Sequence, residues 1–336
     1  MGKRWILYFG NWINGIKLGK GKIYYKNGNI KFDGNFVNDK FDEYGNINYK
    51  NGEYYSGQII NGLRHGKGKQ YYKNGNIKYD GDFVNDKYQG YGKFFWEDKD
   101  FIKYEYDGYF INDKFEGYGK LFMENCEYYD GNWRNSLMHG KGKLYNITII
   151  FEVDNNVDDV ISINLDEEKR KGNLQYKKVG IEYEGDFVNG KYDGYGKYIY
   201  ENGEYYIGQW MNDLKHGKGK IYYKDGNLKY EGDFIKDKYE RYGKYIYENG
   251  EYYNGQWMND LKYGKGKEYY KNGNLKYEGD FVKDKYEGYG KYIYENGEYY
   301  FGQWLNGLRH GKGKQYYKNG IIKFDGDFKN DKFFKF

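Results

Sequence analysis

The chain has 336 residues, of which 23% are aromatic (48 Tyr, 21 Phe, 7 Trp), with 51 Gly, no Pro, and 55 basic against 50 acidic residues for a net charge of +5. Phe, Ile, Leu and Val make up only about a fifth, too few for the large aliphatic cores of doubly wound enzymes or helical bundles. The near balance of charge argues against disorder, so order must come from burying tyrosines in a shallow, extended surface.

A single cysteine, Cys126, rules out an internal disulfide. The start Met1-Gly2-Lys3-Arg4-Trp5-Ile6 carries neither a secretory h-region nor a Ser or Thr at position 6 for myristoylation. The longest apolar runs, Trp5 to Phe9 and Ile149 to Phe151, fall far short of the ~20 residues of a membrane span. The expectation is a cytoplasmic chain, peripheral at most to a membrane or the cytoskeleton.

From the N-terminus, a Gly followed two residues later by an aromatic marks Gly10, Gly34, Gly81, Gly108 and Gly131, with Ile59 standing for the aromatic after Gly57. The rhythm fails between Lys143 and Gly180, where two strand-like runs, Leu144 to Phe151 and Val160 to Leu165, flank an acidic Asp154 to Asp159. It resumes at Gly185, Gly208, Gly232, Gly255, Gly279, Gly302 and Gly326, with spacings alternating 23 and 24. The true unit is therefore a pair of halves, 47 residues long. Half A reads Tyr183-Glu184-Gly185-Asp186-Phe187, then Gly194-Tyr195-Gly196-Lys197; half B reads Tyr206-Ile207-Gly208-Gln209-Trp210, then His216-Gly217-Lys218-Gly219-Lys220. The organisation expected is a repeat block over 1–143, an insertion with an acidic loop over 144–180, and a second block over 181–336. The bland account of the insertion, a tolerated loop, is preferred to a dedicated partner-binding strand because long surface insertions cost little.

Each half carries two turn signals, such as Asn189-Gly190 after the aromatic and Asn202-Gly203 before the next half. Both suit type I′ hairpins, in which two central residues take positive φ. Turns 11–12 residues apart, separated by Tyr, Ile, Phe and Trp, predict short antiparallel strands in a meander. With a period of two, Tyr183, Gly185 and Phe187 share one face and Glu184 and Asp186 the other. Copies should stack tyrosine on neighbouring tyrosine, because a lone hairpin is marginal in water.

The pattern Tyr-x-Gly-x-Trp/Phe, with further glycines nine and eleven residues after the first, resembles the MORN repeat (membrane occupation and recognition nexus) over nearly the whole chain. The stretch Tyr223 to Gly232 is similar to variant MORN-type repeats of bacteria, protists and large viruses. The resemblance implies an all-β, elongated antiparallel β-meander repeat array, a hairpin solenoid and not a closed barrel. It also implies scaffold roles: membrane–cytoskeleton tethering, phospholipid contact and dimerisation. Glu43 and Arg241 replace the glycine nine residues on, so those two copies should pack less regularly.

Candidate chemistry is sparse. His65, His139, His216 and His310 recur at one place in half B, but equivalent atoms four strands apart lie roughly 19 Å from one another, too far to share a metal ion. Tyr263 and Leu18 fill the same slot in other copies, which favours packing. Lys218-Gly219-Lys220 lacks the rest of a phosphate loop, and Ser56, Ser136, Ser162, Thr148 and Cys126 all lie outside the repeated motif. No catalytic residue, cofactor or metal site is expected.

The lysines carry the strongest functional signal. Lys20 and Lys22, Lys67 and Lys69, Lys141 and Lys143, Lys218 and Lys220, Lys265 and Lys267, and Lys312 and Lys314 form a ladder that an anionic, phosphoinositide-bearing membrane could read, at ~1 kcal/mol per lysine. A solvated face of alternating charge is the competing account. Nucleic acid is disfavoured by a pI near 8.6, below the >9 of basic binding domains. The expected function is a noncatalytic scaffold for an unknown protein partner, with an anionic membrane and a homodimer as further options. The alternative is a carbohydrate-type ligand module using exposed Trp12, Trp133, Trp210, Trp257 and Trp304 as groove platforms.

Overall fold

A computed structural model describes residues 7–98, 101–123, 127–146 and 180–334. Among them are twenty-six β-strands and no helix. Pairings are antiparallel between strands adjacent in sequence, and the sheet stays open. The all-β meander predicted from turn spacing is therefore the fold. By its contacts the chain divides into two compact units: Met1–Glu182 with Phe187–Gly190, and Tyr183–Asp186 with Lys191–Phe336. The acidic stretch Asp154 to Asp159 lies outside the described residues; Leu144 to Asn146 complete the strand Leu137–Asn146.

The two turns of each half are not alike. The one after the aromatic is the expected pair of left-handed residues: Asn61 and Gly62 have φ of 53° and 87°, Asn189 and Gly190 52° and 83°. Asp takes the second place in most copies, as at Asn212-Asp213 (51°, 68°), for a reason that lies outside its own hairpin. Asp213 N–H donates to the Tyr192 carbonyl (3.0 Å), and its carboxylate accepts from the Tyr192 N–H (2.7 Å), so one hairpin tip is tied to the hairpin before it. Asp260 binds Tyr239, and Asp284 binds Lys262, in the same two ways. The other turn departs from the type I′ expectation. Gly203 has φ +84°, but Asn202 stays at negative φ. Tyr200 N–H donates to Glu204 O, and Gly203 N–H to Tyr200 O, which makes a three-residue loop with one left-handed glycine. Asn202 serves here through its side chain, accepting from the Glu204 N–H at 3.0 Å.

A third left-handed residue in each copy bends the strand after the tight turn: Gly217 at φ 64°, Gly264 at 66°, Gly288 at 63°. Glu43 and Arg241 occupy this place with φ of 63° and 57°. Their copies are not irregular: Arg241 stands opposite Trp257 just as Gly288 stands opposite Trp304. The neighbouring register holds the bend, and the misfit is stored as backbone strain, because an L-residue in this region costs roughly 1–2 kcal/mol. Arg241→Gly should therefore stabilise the protein by about 0.5–1 kcal/mol after the added freedom of the unfolded chain is deducted. A urea midpoint that fails to rise would refute this.

The bend lets a single sheet enclose a core. Tyr206, Gly208 and Trp210 share a face, and the tyrosine ring lies flat over Gly208 and its cross-strand neighbour Gly219. A Cβ on either glycine would sit 2.6 Å from Tyr206 Cζ. The row continues from Gly219 to Gly232 and Gly243, so each strand contributes one bare Cα to the floor. Tyr206 Oη donates to the Gln209 carbonyl (2.8 Å) and the side chain is fully buried. In half A the bent strand lays a second ring on top: Tyr192 stacks on Tyr183 at 3.9 Å, Tyr239 on Tyr230 at 3.8 Å. In half B a cation covers it, as Lys262 does Tyr253 at 5.2 Å. These flat core stacks lie within a hairpin, whereas Tyr206 to Phe234 at 5.1 Å and Tyr183 to Trp210 at 5.6 Å, between copies, are edge-on. Each such pair adds ~0.5–1.5 kcal/mol beyond area burial.

Candidate binding face

With the tyrosine and tryptophan face buried, the opposite face of the sheet carries whatever the protein presents. Its side chains follow from the period of two: Tyr195 and Lys197 on one strand, Ile207 and Gln209 on the next, Lys218 and Lys220 on the third, Glu231 and Asp233 on the fourth.

The Lys-Gly-Lys ladder lies here and is largely matched by acids from the following strand. Lys218 pairs with Asp233 and Lys220 with Glu231, both at 2.9 Å; Lys265 and Lys267 repeat this with Asp280 and Glu278 at 2.7 and 2.8 Å. Lys67 and Lys69 pair with Asp82 and Asp80, Lys22 with Asp33, and Lys314 with Asp325. The carboxylates that Lys220 and Lys267 donate to raise their pKa above the ordinary lysine value. Lys141 and Lys143 are also engaged. Lys20 and Lys312 have no ion-pair partner among the described residues; their backbone neighbours across the strand are Asn35 and Asp327.

The tryptophan platforms are corrected by the structure. Trp133, Trp210, Trp257 and Trp304 are only 6–7% exposed. Each indole N–H donates to a glycine carbonyl of the preceding strand, as Trp257 does to Gly243 at 3.0 Å. They fall on the core face because they stand two residues from the row glycine, and only Trp12, at 54% exposure, is open to solvent. Four of the five therefore cannot stack a sugar.

The Nδ1 atoms of His139, His216 and His310 are buried without a hydrogen-bond partner. Among the described residues, no three His, Cys, Asp or Glu side chains come together as metal ligands. Ser136, near His139 in sequence, takes the place of the turn aspartate, and its hydroxyl accepts from the Phe115 N–H at 3.0 Å.

What the sequence reading missed is a second set of residues on this face. Tyr195, Tyr242 and Tyr289 each stand 54–56% exposed at one repeat position. Between Tyr195 and Tyr242 lies a shallow groove of about 480 Å³, lined also by Ile207, Lys220, Glu231, Lys244 and Asn254. In the first unit Tyr118 holds the equivalent place, where the Asp130 carboxylate to which it donates pushes its pKa up to about 12. The Gly-Tyr-Gly-Lys motif of half A was the available signal, outweighed by the more conspicuous Lys-Gly-Lys of half B.

The MORN repeat family matches at residues 8–30, 55–77, 79–101, 106–124, 129–146, 183–205, 206–228, 230–252, 253–275, 277–299 and 300–322, well over half of the chain. No curated protein matches it significantly. Similar solved structures include a protein of unknown function from Bacteroides caccae (8% identity, 95% of this chain and 93% of that chain covered, TM-score 0.16). The computationally designed Ika8 protein is another (11% identity, 96% and 93% covered, TM-score 0.15). At such TM-scores neither likeness carries an argument. Among the described residues no helix is long and apolar enough to cross a membrane.

Proposed function

We infer function from one premise: the chain belongs to the MORN repeat family. On that basis it is a noncatalytic scaffold that holds a protein partner on the outer sheet face. The observation that carries this reading is the repeated exposure of Tyr195, Tyr242 and Tyr289 on a face whose Lys-Gly-Lys charges are largely paired. Tyrosine is enriched at protein interfaces because it offers a large, stiff contact area with a polar end. Contact with a phosphoinositide membrane has weaker support, since acids cancel most of the Lys-Gly-Lys ladder. The carbohydrate alternative loses its support with the burial of its tryptophans.

The test is proximity labelling in the native cell with the full chain and with Tyr195→Ser/Tyr242→Ser/Tyr289→Ser. The triple variant should keep its melting temperature and lose a defined set of captured proteins, with about 2 kcal/mol or more lost at each tyrosine that acts as a hot spot. An unchanged capture set would overturn the outer face as the docking surface.

A further inference from the structure

Resting on that reading, we infer that the partner is an extended, sparsely acidic peptide whose carboxylates seat on Lys197, Lys244 and Lys291 of the second unit. Charge matching along a single cross-strand row singles out these three lysines. In the first unit Lys93 faces Asp80 and Asp107, and Lys120 faces Asp107 and Asp130, so these two lysines have an acid on both sides. In the second unit the row changes: Ile207, Asn254 and Phe301 replace one of the two acids. The remaining acid beside Lys244 is Glu231, which is bound to Lys220 at 2.9 Å. The acid beside Lys291 is Glu278, bound to Lys267 at 2.8 Å. Glu231 and Glu278 are thus each taken by the lysine of the preceding strand, and among the described residues Lys197, Lys244 and Lys291 have no ion-pair partner. Instead their ammonium groups rest 4.4–4.5 Å from the ring centres of Tyr205, Tyr252 and Tyr299. Each has an exposed tyrosine two residues before it on the same face.

The spacing selects the occupant. Four strands separate successive surplus lysines, roughly 19 Å at ~4.8 Å per strand, which an extended peptide crosses in about six residues. A charged leaflet or a single-stranded nucleic acid offers a denser anion array, and it would meet Glu231 and Glu278, each about half exposed, between the lysines. An isolated carboxylate every sixth residue avoids them, and the residues between can cover Tyr195, Tyr242 and the groove that they flank.

The probe is a fluorescein-labelled 18-residue Ser/Thr/Val peptide with Glu at every sixth position, titrated by polarisation against the full chain. Binding should weaken about tenfold or more in Lys197→Gln/Lys244→Gln/Lys291→Gln, weaken with added salt, and be unchanged in Lys93→Gln. The same peptide with Lys for Glu, or with Glu at every fourth position, should bind at least about tenfold less tightly. The inference is overturned if the triple lysine variant binds as well as the parent chain. It is equally overturned if phosphatidylserine vesicles or an oligothymidylate outcompete the peptide. Loss of peptide binding with tyrosine-dependent capture in cells intact would remove the acidic partner alone and leave the docking face standing.

Discussion

Gly266→Val is expected to cost about 3–5 kcal/mol and to melt its repeat locally, the range measured when a buried aromatic is lost. Gly266 is in the floor row opposite Gly255 and Gly279, and a Cβ there would lie 2.6 Å from Tyr253 Cζ. The ring has nowhere to retreat, because it is fully buried and meets Trp257 and Phe281 edge-on at 5.1 Å each. Either Tyr253 is expelled or the two strands part. Gly180→Ala is the control: a Cβ there meets nothing within 4 Å, so its cost should be near zero. Urea titration followed by circular dichroism decides the matter, and equal midpoints for the two variants would refute the account. Since each copy touches only its neighbours, new proteolytic cleavage should appear at the substituted copy first.

The second large effect is alkaline unfolding. Among the described residues ten tyrosines, including Tyr183, Tyr206, Tyr230, Tyr253, Tyr277 and Tyr300, are fully buried. Burial in an apolar ring stack disfavours phenolate and raises their pKa; for Tyr300, where the Arg309 charge opposes the shift, the value reaches about 12. The unfolded chain releases these protons near pH 10 while the folded chain keeps them. Stability is therefore complete below about pH 10 and falls as pH rises through the folded values, by about 1.4 kcal/mol per pH unit for each core tyrosine. Melting temperature should be level from pH 8 to about 9.5 and then drop steeply. Phenolate absorbance should rise in two steps, the exposed rings first and the core rings together with loss of the sheet signal. Smooth ionisation of all tyrosines at pH 10, with the circular dichroism intact, would contradict the burial argument.

Local grammar made much of this legible. The Tyr-x-Gly-x-aromatic period assigns Tyr206 and Trp210 to one side, and the structure agrees on the side; their depth of burial was not readable, since it comes from a bend that only becomes visible with the φ of Gly217 and its equivalents. Asn202-Gly203 and Asn61-Gly62 look the same in sequence, and they differ because the first loop has three residues between its paired ends and the second has two. The tie between Asp213 and Tyr192 was hidden for another reason: a carboxylate in a turn reads as a turn former, and its partner belongs to the hairpin before it.

What the sequence determined by itself is everything that repeats within one hairpin: strands, tight turns, the all-β class and the separation of aromatic from charged faces, because a period of two and a left-handed turn are local properties of the chain. Only the tertiary structure decided which lysines are neutralised and which stand over, and which aromatics are covered. Those outcomes depend on what the next strand offers across 4.8 Å, so Lys220 and Lys244, alike in sequence, end respectively bound to Glu231 and resting on Tyr252.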